Sequence, residues 1–147
     1  MAKFNKIRGS ITAPLGFQAA ARFCNVKKLG TGKGSNKGQK RDLALIVSDV
    51  PAKAAGMFTT NQICAAPVKL CVKHLRNNTA QAVVINSGNA NACTGPQGLA
   101  DAREMAALTS QALGLATTDV LVGSTGRIGV HLPMPNLRKG ITAIAAQ

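Results

Sequence analysis

The sequence contains no tryptophan and no tyrosine, and its aromatic content is 3%. Proteins that stack nucleic-acid bases use exposed aromatic rings, so this composition argues against a base-stacking platform. The hydrophobic content is 46%, and a chain of 147 residues with that content can bury a closely packed core of Ala, Val, Leu and Ile. We therefore expect a single domain over residues 1–147.

Acidic residues are also scarce, because 5 Asp and Glu stand against 18 Lys and Arg, which gives a formal net charge of +13. Such a charge can attract nucleic-acid phosphates. Many of the basic residues crowd among Gly, Ser and Asn, and we interpret residues 30–40 as a basic, Gly-rich surface insert rather than a shaped groove. Nucleic-acid binding is thus the less favoured interpretation, and an assembly with an acidic partner chain is a simpler one.

Long apolar segments are absent as well. No run approaches the roughly 20 apolar residues of a membrane span, and no apolar region of a secretory signal follows residues 1–5. We therefore expect a soluble, cytoplasmic protein that does not contact a membrane. Its four cysteines, Cys24, Cys64, Cys71 and Cys93, are then expected to be reduced and buried.

Two segments resemble known ligand sites but lack the required spacing. Cys71 and His74 could bind a metal, yet zinc takes three or four ligands, and no further Cys or His stands at a recognised spacing. Residues 30–35 resemble a phosphate-binding loop, but Lys33 is followed by Gly34 where that motif needs Ser or Thr. We therefore predict neither a metal site nor a nucleotide site.

The most distinctive stretch is residues 82–98, where a short apolar run changes abruptly to a segment dense in Asn and Gly. This order predicts a strand, a shaped loop and the start of a helix. The Asn side chains can bond nearby backbone groups, and Gly88 and Gly95 allow positive φ. Asn, Ser and Gly offer no catalytic base, so a reactive group must come from elsewhere.

Hydrophobic spacing predicts the remaining elements of an α/β chain in which strands pack against helices. Strands are expected at residues 42–49, 56–61, 83–86 and 120–123, and helices at 96–113 and 136–147. The compact apolar run at residues 42–49 predicts a strand that is buried on both faces. Residues 66–72 fit either a strand or a helix start, because Pro67 is compatible with both. Pro96 and Gly114 are expected in the first turn and at the C-terminal cap of the first helix. Asp101 and Glu104 lie early in that helix, where the helix dipole favours acidic residues.

Ser124, Thr125 and Gly126 follow the strand predicted at residues 120–123. A turn of this kind can direct backbone N–H groups and a Thr hydroxyl at one point, which is what an oxyanion hole requires. Glycine at a strand end is also ordinary turn chemistry, so a plain connection remains the alternative on these residues alone.

Several segments follow one another in a distinctive order: residues 11–14 with 16–17, 42–46, 58–61 with 65–68, 86–95, and 124–126 with 128–129 and 132–134. In this order they resemble the α chain of the ornithine acetyltransferases of arginine biosynthesis, the ArgJ or glutamate N-acetyltransferase family. The resemblance covers nearly the whole chain, and the Asn-rich residues 86–95 are its most specific part.

The resemblance implies an α/β fold like the N-terminal part of ArgJ and DmpA proteins, and an acetyl transfer that uses no cofactor. In the family, a precursor cleaves itself into α and β chains before a threonine. The hydroxyl of that threonine carries the acetyl group from N-acetylornithine to glutamate. The implied partners are the β chain, in an α2β2 assembly, and these two substrates, while the use of acetyl-CoA is left open.

The resemblance also implies site residues. The family's oxyanion-stabilising pair corresponds by position to Thr125 and Gly126. The Asn-rich segment is then expected to form the pocket wall beside that pair, through Asn86, Ser87, Gly88, Asn89 and Asn91.

The sequence departs from the family pattern in three places. The family's nucleophilic threonine lies beyond the final helix and outside these 147 residues, while Thr117 and Thr118 imitate the cleavage motif but precede the turn. We therefore expect no nucleophile in this chain and no activity without a β chain. Arg127 stands where the family more often has an apolar residue, and the basic insert is a further departure. The alternative interpretation is a noncatalytic basic binding module or a truncated relative of the family.

Overall fold

A computed structural model of the chain describes residues 8–27 and 40–147. The predicted insert therefore lies outside the described residues except for its last residue, Lys40, which is exposed. Four strands form one sheet in the order β1 (Phe17–Arg22), β2 (Leu43–Lys53), β3 (Thr79–Asn89) and β4 (Val120–Arg127). Neighbours are antiparallel except β3 and β4, which are parallel and joined through a helix.

The described residues also form three α-helices, α1 (Ala66–His74), α2 (Gly95–Leu113) and α3 (Met134–Ala145). Short 3-10 helices lie at Leu75–Asn77 and Thr117–Asp119. The predicted α/β fold with strands packed against helices is thus confirmed. Within the described parts of the chain, no helix is long and apolar enough to cross a bilayer.

The helices cover one face of the sheet. Side chains alternate between the two faces of a strand, and those of Leu45, Val84 and Val122 form one buried cluster with Met105 of α2 and Leu137 of α3. The intervening side chains on the other face remain partly exposed: Ala44, Ile46, Val83, Ile85 and Leu121. The predicted burial of β2 on both faces was therefore wrong, because β2 packs against helices on one face only.

Helix α2 follows its local sequence signals closely. Pro96 lies in the first turn, where its missing N–H costs nothing, and Gly114 ends the helix with a φ of +68°. Asp101 lies beyond the first turn, although we expected it to favour the helix dipole. Its buried carboxylate instead accepts a hydrogen bond of 2.7 Å from Gln97 Nε2.

Other boundaries depend on pairing between distant strands. Residues 56–61, predicted as a strand, form no regular element, and the ambiguous segment at residues 66–72 is helical. Strand β2 continues through Pro51 to Lys53, because a register shift between Val47 and Ala52 accommodates the proline. Strands β3 and β4 extend past their apolar runs because each pairs with the other up to Asn89 and Arg127.

Helix α1 lies along β4 and bonds to its backbone. The buried Cys71 Sγ donates to the carbonyl oxygen of Val122 at 3.3 Å and lies 3.4 Å from the N atom of Val122. His74 Nδ1 lies 2.8 Å from the carbonyl oxygen of Val120. Burial raises the pKa of the Cys71 thiol. Cys71 and His74 therefore have a structural role, in which their side chains bond to backbone groups of β4.

The other cysteines are less buried than expected. Cys24 and Cys64 are half-buried and Cys93 is exposed, and all four cysteines are free. Burial, and after it the carboxylate of Asp42, raise the pKa of the Cys24 thiol.

Candidate oxyanion site

Ser124, Thr125 and Gly126 were predicted to form a turn, but they lie in β4, because its pairing with β3 continues to Arg127. We keep the name turn for Thr125 and Gly126, which meet the Asn-rich segment where β3 and β4 end. The parallel register places Ser87 beside Thr125 and Gly88 beside Gly126. Because parallel strands leave the sheet at the same edge, both segments emerge side by side. The structure therefore brings Thr125 and Gly126, both exposed, next to the first part of the Asn-rich segment.

Two glycines allow the strand ends to approach closely. Gly126 has a φ of +132°, and a Cβ at that position would collide with the carbonyl carbon of Gly88. Gly88 has a φ of +130°, and a Cβ there would lie 2.8 Å from the Cα of Lys27. Side chains are excluded at both positions by backbone conformation and by space.

Asn86 ties the residue before the turn to β3. Its side chain is fully buried, and its Oδ1 accepts a hydrogen bond of 2.6 Å from Ser124 Oγ. The amide nitrogen of the same side chain donates to the carbonyl oxygen of Asn89 at 2.9 Å. Asn86 therefore fixes both the start of the turn and the backbone of β3 beyond it.

Asn89 ties the residue after the turn in the same way. It is 2% exposed, and its Oδ1 accepts a hydrogen bond of 3.0 Å from Arg127 Nη2. Its Nδ2 donates to the carbonyl oxygen of His131 at 2.6 Å. A main-chain bond of 2.8 Å, from the N–H of Ala90 to the carbonyl oxygen of Arg127, lies beside these contacts. The turn is thus held on both sides by buried amides.

The side chain of Asn91 bonds to residues at the start of α2 and not to those beside the turn. Its Nδ2 donates to the carbonyl oxygen of Gly98 at 2.8 Å, and its Oδ1 accepts from Thr94 Oγ1 at 2.7 Å. Its backbone carbonyl accepts from the N–H of Ala66 at 3.1 Å. Asn91 is therefore bound to the starts of α1 and α2, whereas Asn86 and Asn89 contact the residues that flank Thr125 and Gly126.

Asp42 is a supporting residue that the sequence reasoning missed. Its carboxylate is 2% exposed and accepts three backbone hydrogen bonds, from the N–H groups of Cys24 at 2.6 Å, Val26 at 2.7 Å and Lys27 at 3.0 Å. Its carbonyl oxygen also accepts from the N–H of Ser87 at 2.8 Å. Asp42 therefore holds the segment that packs behind Gly88. Its position at the start of an apolar run, in a chain with 5 acidic residues, was the available signal.

A cavity of about 510 Å³ lies between the starts of α1 and α2. Its lining includes Cys64, Lys69, Asn91, Cys93 and Thr94, and does not include Thr125 or Gly126. The turn instead lies at the surface of the described chain, where the hydroxyl of the exposed Thr125 can donate a hydrogen bond to an incoming oxyanion.

Comparisons with known proteins agree on one family. A sequence model described as the ArgJ family matches residues 28–147. The arginine biosynthesis bifunctional protein ArgJ of Symbiobacterium thermophilum is 49% identical over 140 residues, which is 95% of this chain and 33% of that protein. The protein of the same name from Bacillus anthracis is 49% identical over 137 residues, 92% of this chain and 31% of that protein. The chain therefore spans about a third of the length of these curated relatives.

Solved structures give the same result for the fold. The crystal structure of ArgJ from Bacillus halodurans has a TM-score of 0.82 and 38% identity, covering 91% of this chain and 65% of that one. Ornithine acetyltransferase from Mycobacterium tuberculosis, solved in complex with ornithine, has a TM-score of 0.83 and 38% identity. That match covers 93% of this chain and 69% of the mycobacterial chain.

Proposed function

Because this chain belongs to the ArgJ family, we propose that it supplies the oxyanion-stabilising part of a bifunctional acetyltransferase of arginine biosynthesis. The reaction moves an acetyl group from N-acetylornithine to glutamate through an acetyl-threonine intermediate. The nucleophilic threonine is the first residue of a β chain cut from the same precursor, and this chain is inactive without it. The two chains assemble as an α2β2 enzyme.

The observation that carries this proposal is the position of the Thr125–Gly126 turn. The turn is exposed, yet buried asparagines hold the residues on both of its sides. Donors that are fixed in advance stabilise a developing negative charge more effectively than donors that must reorganise. A rigid turn with an accessible hydroxyl and accessible backbone suits that role.

The same donors serve both halves of the proposed reaction. The β-chain threonine hydroxyl attacks the acetyl carbonyl of N-acetylornithine, with the N-terminal amine as base, and forms a tetrahedral oxyanion. Collapse of this intermediate releases ornithine and leaves the acetyl ester. The amine of glutamate then attacks that ester and forms a second oxyanion, whose collapse breaks the ester bond, releases N-acetylglutamate and restores the threonine hydroxyl. Thr125 and Gly126 stabilise the oxyanion in each step.

The face of the sheet opposite the helices carries exposed apolar side chains, and this exposure favours a partner chain that packs there. Ile46, Val83, Ile85 and Leu121 are apolar and partly exposed on the face that no helix of the described chain covers. A sheet in a globular protein normally buries both apolar faces against another layer. The net charge of +13 further favours a partner that is acidic. A β chain packed on this face would satisfy both requirements.

The test compares this chain alone with the complete enzyme, which we define as this chain produced together with an ArgJ β chain. Acetyl transfer from N-acetylornithine to glutamate is expected only in the complete enzyme. Thr125→Ala should lower its kcat by on the order of 10²–10³. Thr118→Ala, which changes an exposed threonine of the 3-10 helix, is the matched control. Turnover by the purified chain alone would contradict the proposal.

A further inference from the structure

The residues on either side of the turn each donate a hydrogen bond to a buried asparagine of β3, but the two donors differ in charge. Ser124 before the turn is a neutral donor to Asn86, whereas Arg127 after the turn is a charged donor to Asn89. Hydrogen bonds with a charged donor are shorter or stronger than neutral ones on average. Of the two restraints on the turn, the contact that follows Gly126 is therefore the one with a charged donor.

The guanidinium of Arg127 is available for this role. Within residues 8–27 and 40–147, the one ion pair joins Arg138 to Glu104, so the charge of Arg127 has no acidic partner there. Asn89, its acceptor, is 2% exposed and is itself held by its bond to the carbonyl oxygen of His131. Arg127 is therefore anchored to a fixed group and not to a mobile surface side chain.

The backbone of the turn must be restrained by neighbouring contacts because Gly126 is conformationally free. A residue without a Cβ, at a φ of +132°, has more backbone freedom than any other residue type would have. If the peptide that joins Thr125 to Gly126 rotates, the direction of the Gly126 N–H changes, and an oxyanion donor that is misdirected loses most of its effect. The bonds from Arg127 to Asn89 and from Ala90 to Arg127 limit that rotation.

We propose that Arg127 is a positioning residue for acetyl transfer, which acts through Asn89 to fix the direction of the Thr125–Gly126 donors. The inference rests on the proposed function, because it assigns these donors to the oxyanion. Arg127 contacts Asn89 and not the acetyl group, so its loss lowers the rate of the chemical step without weakening substrate binding.

The test uses the complete enzyme with three variants. Arg127→Met keeps the length of the side chain and removes its donors, Arg127→Lys keeps one donor and the charge, and Arg103→Met removes an exposed arginine of α2 as the control. We expect Arg127→Met to lower kcat about 10-fold with KM for N-acetylornithine and for glutamate changed less than about 2-fold. Arg127→Lys should recover most of the lost kcat, and Arg103→Met should match the unchanged enzyme.

A double-mutant cycle with Asn89→Ala tests whether Arg127 acts through Asn89. If it does, adding Arg127→Met to Asn89→Ala costs little further kcat, because the contact is already lost. Independent, multiplicative losses would overturn the proposed route. If Asn89→Ala does not fold, the proposal is tested by the Arg127 variants alone. A lowered kcat in Arg127→Met that Arg127→Lys restores supports it, and an unchanged kcat in Arg127→Met overturns it.

The outcomes separate this inference from the proposed function. If the unchanged complete enzyme transfers no acetyl group, the proposed function fails and the inference fails with it. If that enzyme is active and Arg127→Met has the same kcat, only the role of Arg127 is overturned. A raised KM with unchanged kcat also overturns it, because Arg127 would then bind substrate.

Discussion

The two halves of the Asn-rich segment have similar sequences and different contacts. In the first half, Asn86 and Asn89 bind Ser124 and Arg127 and so hold the turn of β4. In the second half, Asn91 binds Thr94 and the carbonyl of Gly98 and so holds the start of α2. Buried amides serve both halves because one Asn side chain both donates and accepts. The first half is therefore expected to affect turnover and the second half stability.

The largest expected effect concerns the first half. Gly126→Ala would force a Cβ into the backbone of Gly88 and would place Ala at a φ of +132°. In the complete enzyme we expect kcat/KM to fall by on the order of 10² or more, because the turn must move away from β3. Steady-state acetyl-transfer kinetics measure this effect.

Gly123→Ala is the matched control for that prediction. It lies in the same strand, and its new Cβ would meet the Cγ1 atom of Ile85 at 3.3 Å, a contact that a small shift of a side chain relieves. If both glycine variants lose the same activity, the close approach of Gly126 to Gly88 has no special role in the site.

The second prediction concerns Asn91. Asn91→Ala removes two side-chain hydrogen bonds and leaves the buried Thr94 hydroxyl and Gly98 carbonyl without their partner. We expect the free energy of unfolding to fall by about 2–4 kcal/mol, while the folded enzyme keeps its kcat within about 3-fold. Chemical denaturation and initial rates on the same preparation measure the two quantities.

A further variant separates the hydrogen bonds of Asn91 from its backbone conformation. Asn91 has a φ of +50°, which Ala disfavours, whereas Asn91→Gly tolerates that φ and still lacks the side chain. A loss of stability in both variants assigns the effect to the hydrogen bonds. If the Asn91 variants lost kcat without losing stability, the second half of the Asn-rich segment would contribute to acetyl transfer as well as the first.

Local signals in the sequence were enough to predict α2. Pro96 and Gly114 mark its ends by their own backbone preferences, independent of the rest of the chain. The segment at residues 56–61 shows the opposite case, because strand-forming residues without a partner strand remain irregular there. Local residue preferences therefore predict a helix, whose hydrogen bonds are local, better than a strand, which needs a partner strand from elsewhere in the chain.

The contacts of the site could be predicted only in part. The resemblance to ArgJ proteins pointed to Thr125, Gly126 and the Asn-rich segment, but no local pattern shows which asparagine bonds to which part of β4. That choice depends on the parallel register that pairs Asn89 with Arg127, which are 38 positions apart. Asp42 was missed for the same reason, since its three donors come from residues 24–27, which follow β1 and are distant from Asp42 in sequence. The assignment of residues 1–147 to a single domain stays a prediction.

The smallest expected effect comes from the packing of α3 on α2, far from both asparagine contacts. Arg138 Nε donates to Glu104 Oε1 at 2.5 Å, and Arg138 Nη2 donates to Oε2 of the same carboxylate at 3.0 Å. The hydrogen bond from Arg138 lowers the pKa of Glu104. A carboxyl with a lowered folded-state pKa stabilises the protein fully above its unfolded-state pKa of about 4.3, and this contribution is lost as pH falls through the lower folded-state pKa.

Glu104→Gln tests this dependence, because it keeps the shape of the side chain and removes its charge. The difference in unfolding midpoint between the variant and the unchanged protein should be small at pH 7, since the Arg138 side chain is 50% exposed, that of Glu104 is 34% exposed, and solvent screens the pair. It should shrink further toward pH 3 and in high salt. A difference that grows as the pH falls would reverse the sign of the linkage and would show that Glu104 is stabilised in its protonated form. Glu104→Gln should leave the kcat of the complete enzyme at pH 7 unchanged, so an effect of this variant on turnover would show that the packing of α2 and α3 also contributes to acetyl transfer.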